Sequence, residues 1–291
     1  MLKVLENVKV VLTKDPFVKN EKNDIVLLDF YKFRPMKKNT NICLERNLVF
    51  DSMYYIPCEA NIYHSTVYSA MYLPYIPKNS IVCTNNSDVL NFYLGHFNLE
   101  FESKPGNYYV KTLYYFDIKA PVYTNPDQFD RNSLDLFMNM TRNLRKSICN
   151  YPKFIYIKRQ TKNRCIQNCS EFEELLNTKG FTPLIMENYS VQEQINIFHN
   201  AQFILGVHGA GLTNIIHCKK ECIVLELKHK GMDSFLIHNC YKQLAYNSLI
   251  QNYNVLYNDY VKIKNIKSKD YNLVVNVNAL SIHLDNLMKS T

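Results

Sequence analysis

The densest chemical signal in the sequence is the run His208-Gly209-Ala210-Gly211-Leu212-Thr213-Asn214, directly after the apolar run Phe203-Ile204-Leu205-Gly206-Val207. Two glycines bracketing an alanine between a strand and a helix let the backbone approach an anion closely. The start of the helix then turns free N–H groups and a partial positive charge toward it. The same glycines also suit a tight strand-to-helix turn on steric grounds alone, and spacing does not separate the two readings. His208 adds a polar side chain at that strand end, either as a ligand group or as a ring satisfied by backbone hydrogen bonds. Arg159 and Arg164 follow another apolar run, Lys153-Phe154-Ile155-Tyr156-Ile157. In a parallel sheet both guanidinium groups face the crevice at His208, where they can grip a diphosphate through forked, charge-assisted hydrogen bonds. The bland alternative is a pair of ordinary surface arginines. Glu226 closes the run Ile223-Val224-Leu225-Glu226. It is placed either to accept hydrogen bonds from ribose hydroxyls, as acidic residues do in dinucleotide folds, or to form a surface salt bridge.

These residues need a scaffold, and the spacing of apolar runs between residues 153 and 227 supplies one. Strands are expected at 153–157, 182–186, 203–207 and 223–227, with helices between them. Ser170 and Glu173 have capping-box spacing, and Gly180 closes the helix they open; Ser190 and Glu193 repeat the pattern before the apolar stripe of Ile195 and Phe198. Such alternation makes an α/β fold with a parallel sheet, whose ligands sit at the carboxyl ends of the strands. The N-terminal part is less regular. It predicts a helix over 62–75, a strand at 81–83, a helix at 89–94, and a long helix from Leu134 to about Asn150. The domain boundary is placed there, giving domains 1–150 and 151–291. A closing amphipathic helix is expected over 280–288.

The ordered set Ile155-Tyr156-Ile157-Lys158-Arg159, Arg164-Cys165-Ile166-Gln167-Asn168, Glu193-Gln194-Ile195, Asn200-Ala201, Gly206 to Asn214 and Val224-Leu225-Glu226-Leu227 resembles glycosyltransferase family 61. That family includes O-linked N-acetylglucosaminyltransferases and plant xylosyltransferases. The resemblance implies a GT-B-like fold, two Rossmann-like domains with parallel sheets facing a cleft, and inverting sugar transfer from a nucleotide-sugar with no obligatory metal or cofactor. It assigns donor binding to Arg159, Arg164, His208, Gly209, Ala210, Gly211, Leu212, Thr213, Asn214 and Glu226. A UDP-sugar is the expected donor, and a glycan or glycoprotein hydroxyl the expected acceptor. In the N-terminal half, Asn61-Ile62-Tyr63-His64 is similar to the family's Asn-x-aromatic-His element. The family pattern places an aspartate four residues after that histidine, where this chain has Tyr68. A phenol with a pKa near 10 is a poor base at neutral pH, so His64 is the candidate base, the alternative being that it is a cleft or core histidine without that role. Loss of the aspartate also opens an alternative, a catalytically silent module that binds a nucleotide-sugar or glycan.

Bulk properties narrow the remaining classes. A chain of 291 residues, 47% hydrophobic, can bury a sizeable core. No apolar run reaches the roughly 20 residues needed to cross a bilayer, and the start lacks the apolar core of an export signal. A cytoplasmic location is therefore expected, with peripheral membrane association compatible with the net charge of +8. The basic residues are scattered and accompany no nucleic-acid motif, so a nucleic-acid partner is not expected. The nine cysteines read as reduced thiols. The pairs Cys165/Cys169 and Cys218/Cys222 have spacing compatible with zinc, but buried free thiols are the simpler reading.

Overall fold

The computed structural model describes residues 2–12, 17–19, 25–28, 47–56, 69–84, 87–102, 104, 106–116, 130–147, 150–160, 164–230, 232, 239–262 and 271–289. The chain divides into two compact units, Met1–Met140 and Thr141–Thr291.

The first unit is built on strands β1 (Leu2–Leu12), β2 (Phe17–Lys19), β3 (Ile25–Leu28), β4 (Asn47–Tyr55), β5 (Ile81–Cys83), β6 (Glu100–Glu102) and β7 (Gly106–Phe116), in the order β3-β2-β1-β7-β4-β5-β6. The sheet is mixed. β7, β4, β5 and β6 run parallel, whereas β1 pairs antiparallel with β7 from Leu2↔Phe116 to Leu12↔Gly106 and with β2 on its other side. The expectation of a parallel sheet in this half is corrected accordingly: the N-terminal strands add an antiparallel extension to a parallel part. Alternating residues of β1, β4 and β7 fill one core with Val8, Val10, Met53, Tyr55, Tyr108 and Val110. Helix α1 (Asp88–His96) starts where Ser87 accepts from the Leu90 N–H. Helix α2 (Arg131–Met140) buries Leu134 and Phe137, the latter edge-on to Tyr93 with ring centroids 5.0 Å apart.

The second unit holds strands β8 (Phe154–Ile157), β9 (Thr182–Leu184), β10 (Phe203–Val207), β11 (Ile223–His229), β12 (Asn252–Lys262) and β13 (Tyr271–Val274), in the order β13-β12-β11-β10-β8-β9. All neighbours run parallel except β12 and β13. The chain steps from β8 outward to β9 and then crosses back to β10 on the far side of β8. The carboxyl ends of β8 and β10 therefore flank a topological switch point, the place where open α/β sheets bind ligands. One face of the sheet packs Tyr156, Phe203, Leu205, Leu225 and Leu227 against Phe172 and Leu176 of helix α3 (Cys169–Thr178) and Leu280 and Leu284 of the C-terminal helix α6 (Val277–Lys289).

Local signals in this unit act unevenly. Before helix α4 (Val191–Asn200) the capping box is complete: Glu193 N–H donates to Ser190 Oγ at 3.3 Å, and Ser190 N–H donates to Glu193 Oε2 at 2.8 Å. Before α3 it does not form. Asn168 is committed to Val275, through Nδ2 to its carbonyl at 2.8 Å and Oδ1 to its N–H at 3.0 Å. The helix thus starts at Cys169, and Glu173 pairs with Lys158 at 2.7 Å instead. Gly180 ends the turn after α3 with φ +80, the left-handed conformation expected of a glycine there.

The long helix expected up to residue 150 stops at Met140, and the 3-10 turn Arg142–Leu144 follows. Polar side chains of α4 claim the segment beyond it. Gln192 Nε2 donates to the Leu144 carbonyl at 2.6 Å, Lys146 N–H donates to Asn196 Oδ1 at 3.0 Å, and Asn200 Nδ2 donates to the Lys146 carbonyl at 2.7 Å. Residues 141 to 147 accordingly belong with the second unit, and the division falls ahead of the boundary placed at 150.

Candidate functional site

Strand β8 delivers Arg159 two residues past its end, on the face that carries Ile155 and Ile157. β10 delivers the turn from His208 to Gly211 beside it. The two glycines of that turn do different work. A methyl group on Gly211 would come within 3.0 Å of Ile157 Cγ2, so this glycine serves close packing of the turn on β8. A methyl group on Gly209 would overlap the Arg159 guanidinium itself. Backbone conformation does not require glycine at 209, where φ is 172°; the missing side chain leaves room for the guanidinium.

Arg159 is half-buried, and its Nε has no hydrogen-bond partner among the described residues. Burial, followed by the nearby charge of Arg164, pushes its guanidinium below the usual arginine range. Neither arginine forms an ion pair with a carboxylate among the described residues. Glu187 offsets their mutual repulsion only weakly and forms no ion pair with either arginine; a bound anion relieves both the repulsion and the orphaned donor.

Arg164 is held in place through its backbone. Its φ of 58° lies in the left-handed region, unusual for a side chain of this size. The adjoining β13 fixes it: Arg164 N–H donates to the Tyr271 carbonyl and Gln167 N–H to the Leu273 carbonyl, each at 2.8 Å. Cys165 N–H donates to Asn272 Oδ1 at 3.0 Å, and Ile166 bridges to Leu273.

His208 is 7% exposed and Glu226 has no exposed surface. His208 Nδ1 lies 2.6 Å from Glu226 Oε1, and a carboxylate only accepts, so the proton of this bond sits on Nδ1. The other carboxylate oxygen accepts from Tyr253 OH at 2.5 Å. Tyr241 of helix α5 (Cys240–Asn247) packs its ring 5.0 Å from the imidazole. The expectation that Glu226 accepts directly from ribose hydroxyls is corrected by this burial: it stands behind His208. The remainder of the motif also turns inward. Leu212, Thr213 and Asn214 are buried in the 3-10 helix Ala210–His217, and Asn214 Nδ2 donates to Gln194 Oε1 at 2.9 Å. Asn214 thereby ties the turn to α4, whereas Thr213 Oγ1 is buried with no hydrogen-bond partner among the described residues.

His64, with the Asn61 to Tyr68 element, lies outside the described residues. Among those described, no three His, Cys, Asp or Glu side chains form a group able to hold a metal ion, and Cys165, Cys169, Cys218, Cys222 and Cys240 are free thiols. No described helix is long and apolar enough to cross a membrane. A cavity of about 630 Å³, lined by Lys153, Phe203, Cys222 and Gln251 among others, lies at the amino ends of the strands, away from the switch point. Sequence reading missed Tyr253 and Lys228, which complete the surroundings of Glu226; no motif marks either of them.

The arginine pair, the turn at Gly209 and the His208–Glu226 contact thus meet at one end of a parallel sheet. No curated protein matches the sequence. The family model for glycosyltransferase 61 matches residues 33–225, about two thirds of the chain. The match includes Arg159, Arg164 and the turn from His208 to Asn214, and the chain belongs to glycosyltransferase family 61.

Proposed function

We propose that the second unit binds a nucleotide-sugar, a UDP-sugar by the family resemblance, with the diphosphate between Arg159 and Arg164 and against the backbone of Gly209. The observation that carries this reading is the pair of guanidinium groups at the switch point, neither in an ion pair with a carboxylate among the described residues and with one buried donor unsatisfied. Charge-assisted forks from two arginines neutralise the diphosphate in the ground state, and more strongly as charge builds on it during departure. The reaction is a single in-line displacement at the anomeric carbon, with inversion and no obligatory metal, in a GT-B-like arrangement of the two units. A glycan or glycoprotein hydroxyl is the nucleophile and His64 takes its proton. The test is a panel of nucleotide-sugars, with and without a chelator, followed by release of nucleoside diphosphate in the presence of glycan acceptors. Release that persists in chelator is expected, and release that depends on an added divalent cation contradicts the metal-independent mechanism.

A second reading has its own support. Tyr68 stands where the family pattern places an aspartate, which favours a module that binds the donor without turning it over. Binding of a nucleotide-sugar with no release, across several acceptors, selects this second reading.

A further inference from the structure

Glu226 and Lys228 stand two apart on β11 and project from the same face of the sheet. Lys228 is 1% exposed, and lysine is almost never buried so deeply unless paired. Its Nζ lies 3.3 Å from Glu226 Oε2 and 3.5 Å from Asn239 Oδ1. Tyr253, from the adjacent strand β12, donates to the same Oε2. An ammonium therefore balances the buried carboxylate, and donors from β10, β11 and β12 fix both its oxygens. A carboxylate held in this way cannot turn away from the imidazole.

The other ionisable groups around the ring fit the same arrangement. They include Tyr241 on α5 against the ring, Cys240 on α5 and Tyr253 on β12 near Glu226, and Arg159 beside Gly209. Burial, reinforced by Glu226, pushes the Tyr253 phenol well above its usual range and the Cys240 thiol up to about 12. Both therefore stay protonated, and Tyr253 keeps the proton it donates.

We propose that Lys228 and Tyr253 are positioning residues that act through Glu226 to hold His208 with its proton on Nδ1 at the edge of the donor crevice. Carboxylates that bond one nitrogen of a functional histidine fix the tautomer in this way, and here the carboxylate is itself fixed by a second layer of donors. The tautomer assignment rests on distances alone; its consequence for the donor rests on the reading under Proposed function.

Nitrogen-15 NMR of the imidazoles in the full-length chain tests the proposal, with His208→Gln identifying the resonance and UDP as the added ligand. The wild type is expected to show the Nδ1–H signature. Replacing Lys228 by Met or by Gln leaves Glu226 without its ammonium and able to turn, so the single Nδ1–H signature is expected to give way to a mixture of the two tautomers. Tyr253→Phe acts the same way to a smaller extent. Lys228→Gln and Tyr253→Phe keep close to the native volume, so they carry the test if the Met variant does not fold. An Nε2–H tautomer in the wild type, or the same unmixed Nδ1–H signature in wild type, Lys228→Gln and Tyr253→Phe, overturns the proposal. UDP is expected to shift the His208 resonance. A wild-type Nδ1–H signature that no UDP concentration perturbs overturns the donor-site reading and leaves the tautomer assignment standing.

Discussion

At Gly209 the absence of a side chain does chemical work through its neighbour. Because its backbone is extended, alanine is conformationally acceptable there, and the conflict is with the Arg159 guanidinium alone. Gly209→Ala should therefore fold normally but displace the guanidinium, lowering affinity for UDP about tenfold, the scale of one charge-assisted hydrogen bond. Gly211→Ala meets Ile157 within the packed turn instead. Its expected effect is a loss of stability of about 1–3 kcal/mol, read by urea unfolding. His217 supplies a pH dependence. Burial, with the charges of Arg145 and His199, holds its imidazole well below the usual range. Above about pH 6.5 the ring is neutral both folded and unfolded and contributes no pH dependence. As pH falls below that value the unfolded chain takes up a proton that the folded chain refuses, so stability drops by up to about 1.4 kcal/mol per pH unit. His199, lowered mainly by burial, acts in the same direction. Denaturant unfolding between neutral pH and about pH 5 should show this acid limb, and His217→Asn should flatten it.

Elements of the second unit were legible where the information is local. The alternation of short apolar runs with capped helices gives β8 to β11 because each strand and helix buries its own stripe, and the register at Gly206↔Glu226 and Leu205↔Leu225 follows from adjacent runs. The capping box at Ser190 belongs to this class. Ser190→Ala should cost about 1 kcal/mol and lower the melting temperature, whereas Ser170→Ala should be near neutral because no side chain caps α3. The first unit was not legible in the same way. β1 finds its partner at the other end of that unit, Leu2 against Phe116, and no local period announces a pairing over such a separation. The capping box at Ser170 failed for a related reason: Asn168 and Glu173 are committed to Val275 and Lys158, contacts invisible in the run itself. The same holds for the candidate site. Arg159 and His208 stand out at strand ends, but Tyr253 reaches Glu226 from β12, whose sequence carries no motif.

On the scale of the whole molecule, the net charge of +8 is spread along the chain, while the surplus that matters for a diphosphate is local, at two arginines fixed by different devices. β8 and the gap at Gly209 place Arg159; β13 and a left-handed backbone place Arg164. Separate elements thus converge on one anion site. Calorimetric titration of UDP into the wild-type chain, Arg159→Ala and Arg164→Ala, all in chelator, tests it most directly. Binding to the wild type without metal is expected, with a loss of about tenfold or more in each variant, or at least about 1.4 kcal/mol. Equal affinity in all three proteins, or no binding by the wild type, would contradict it.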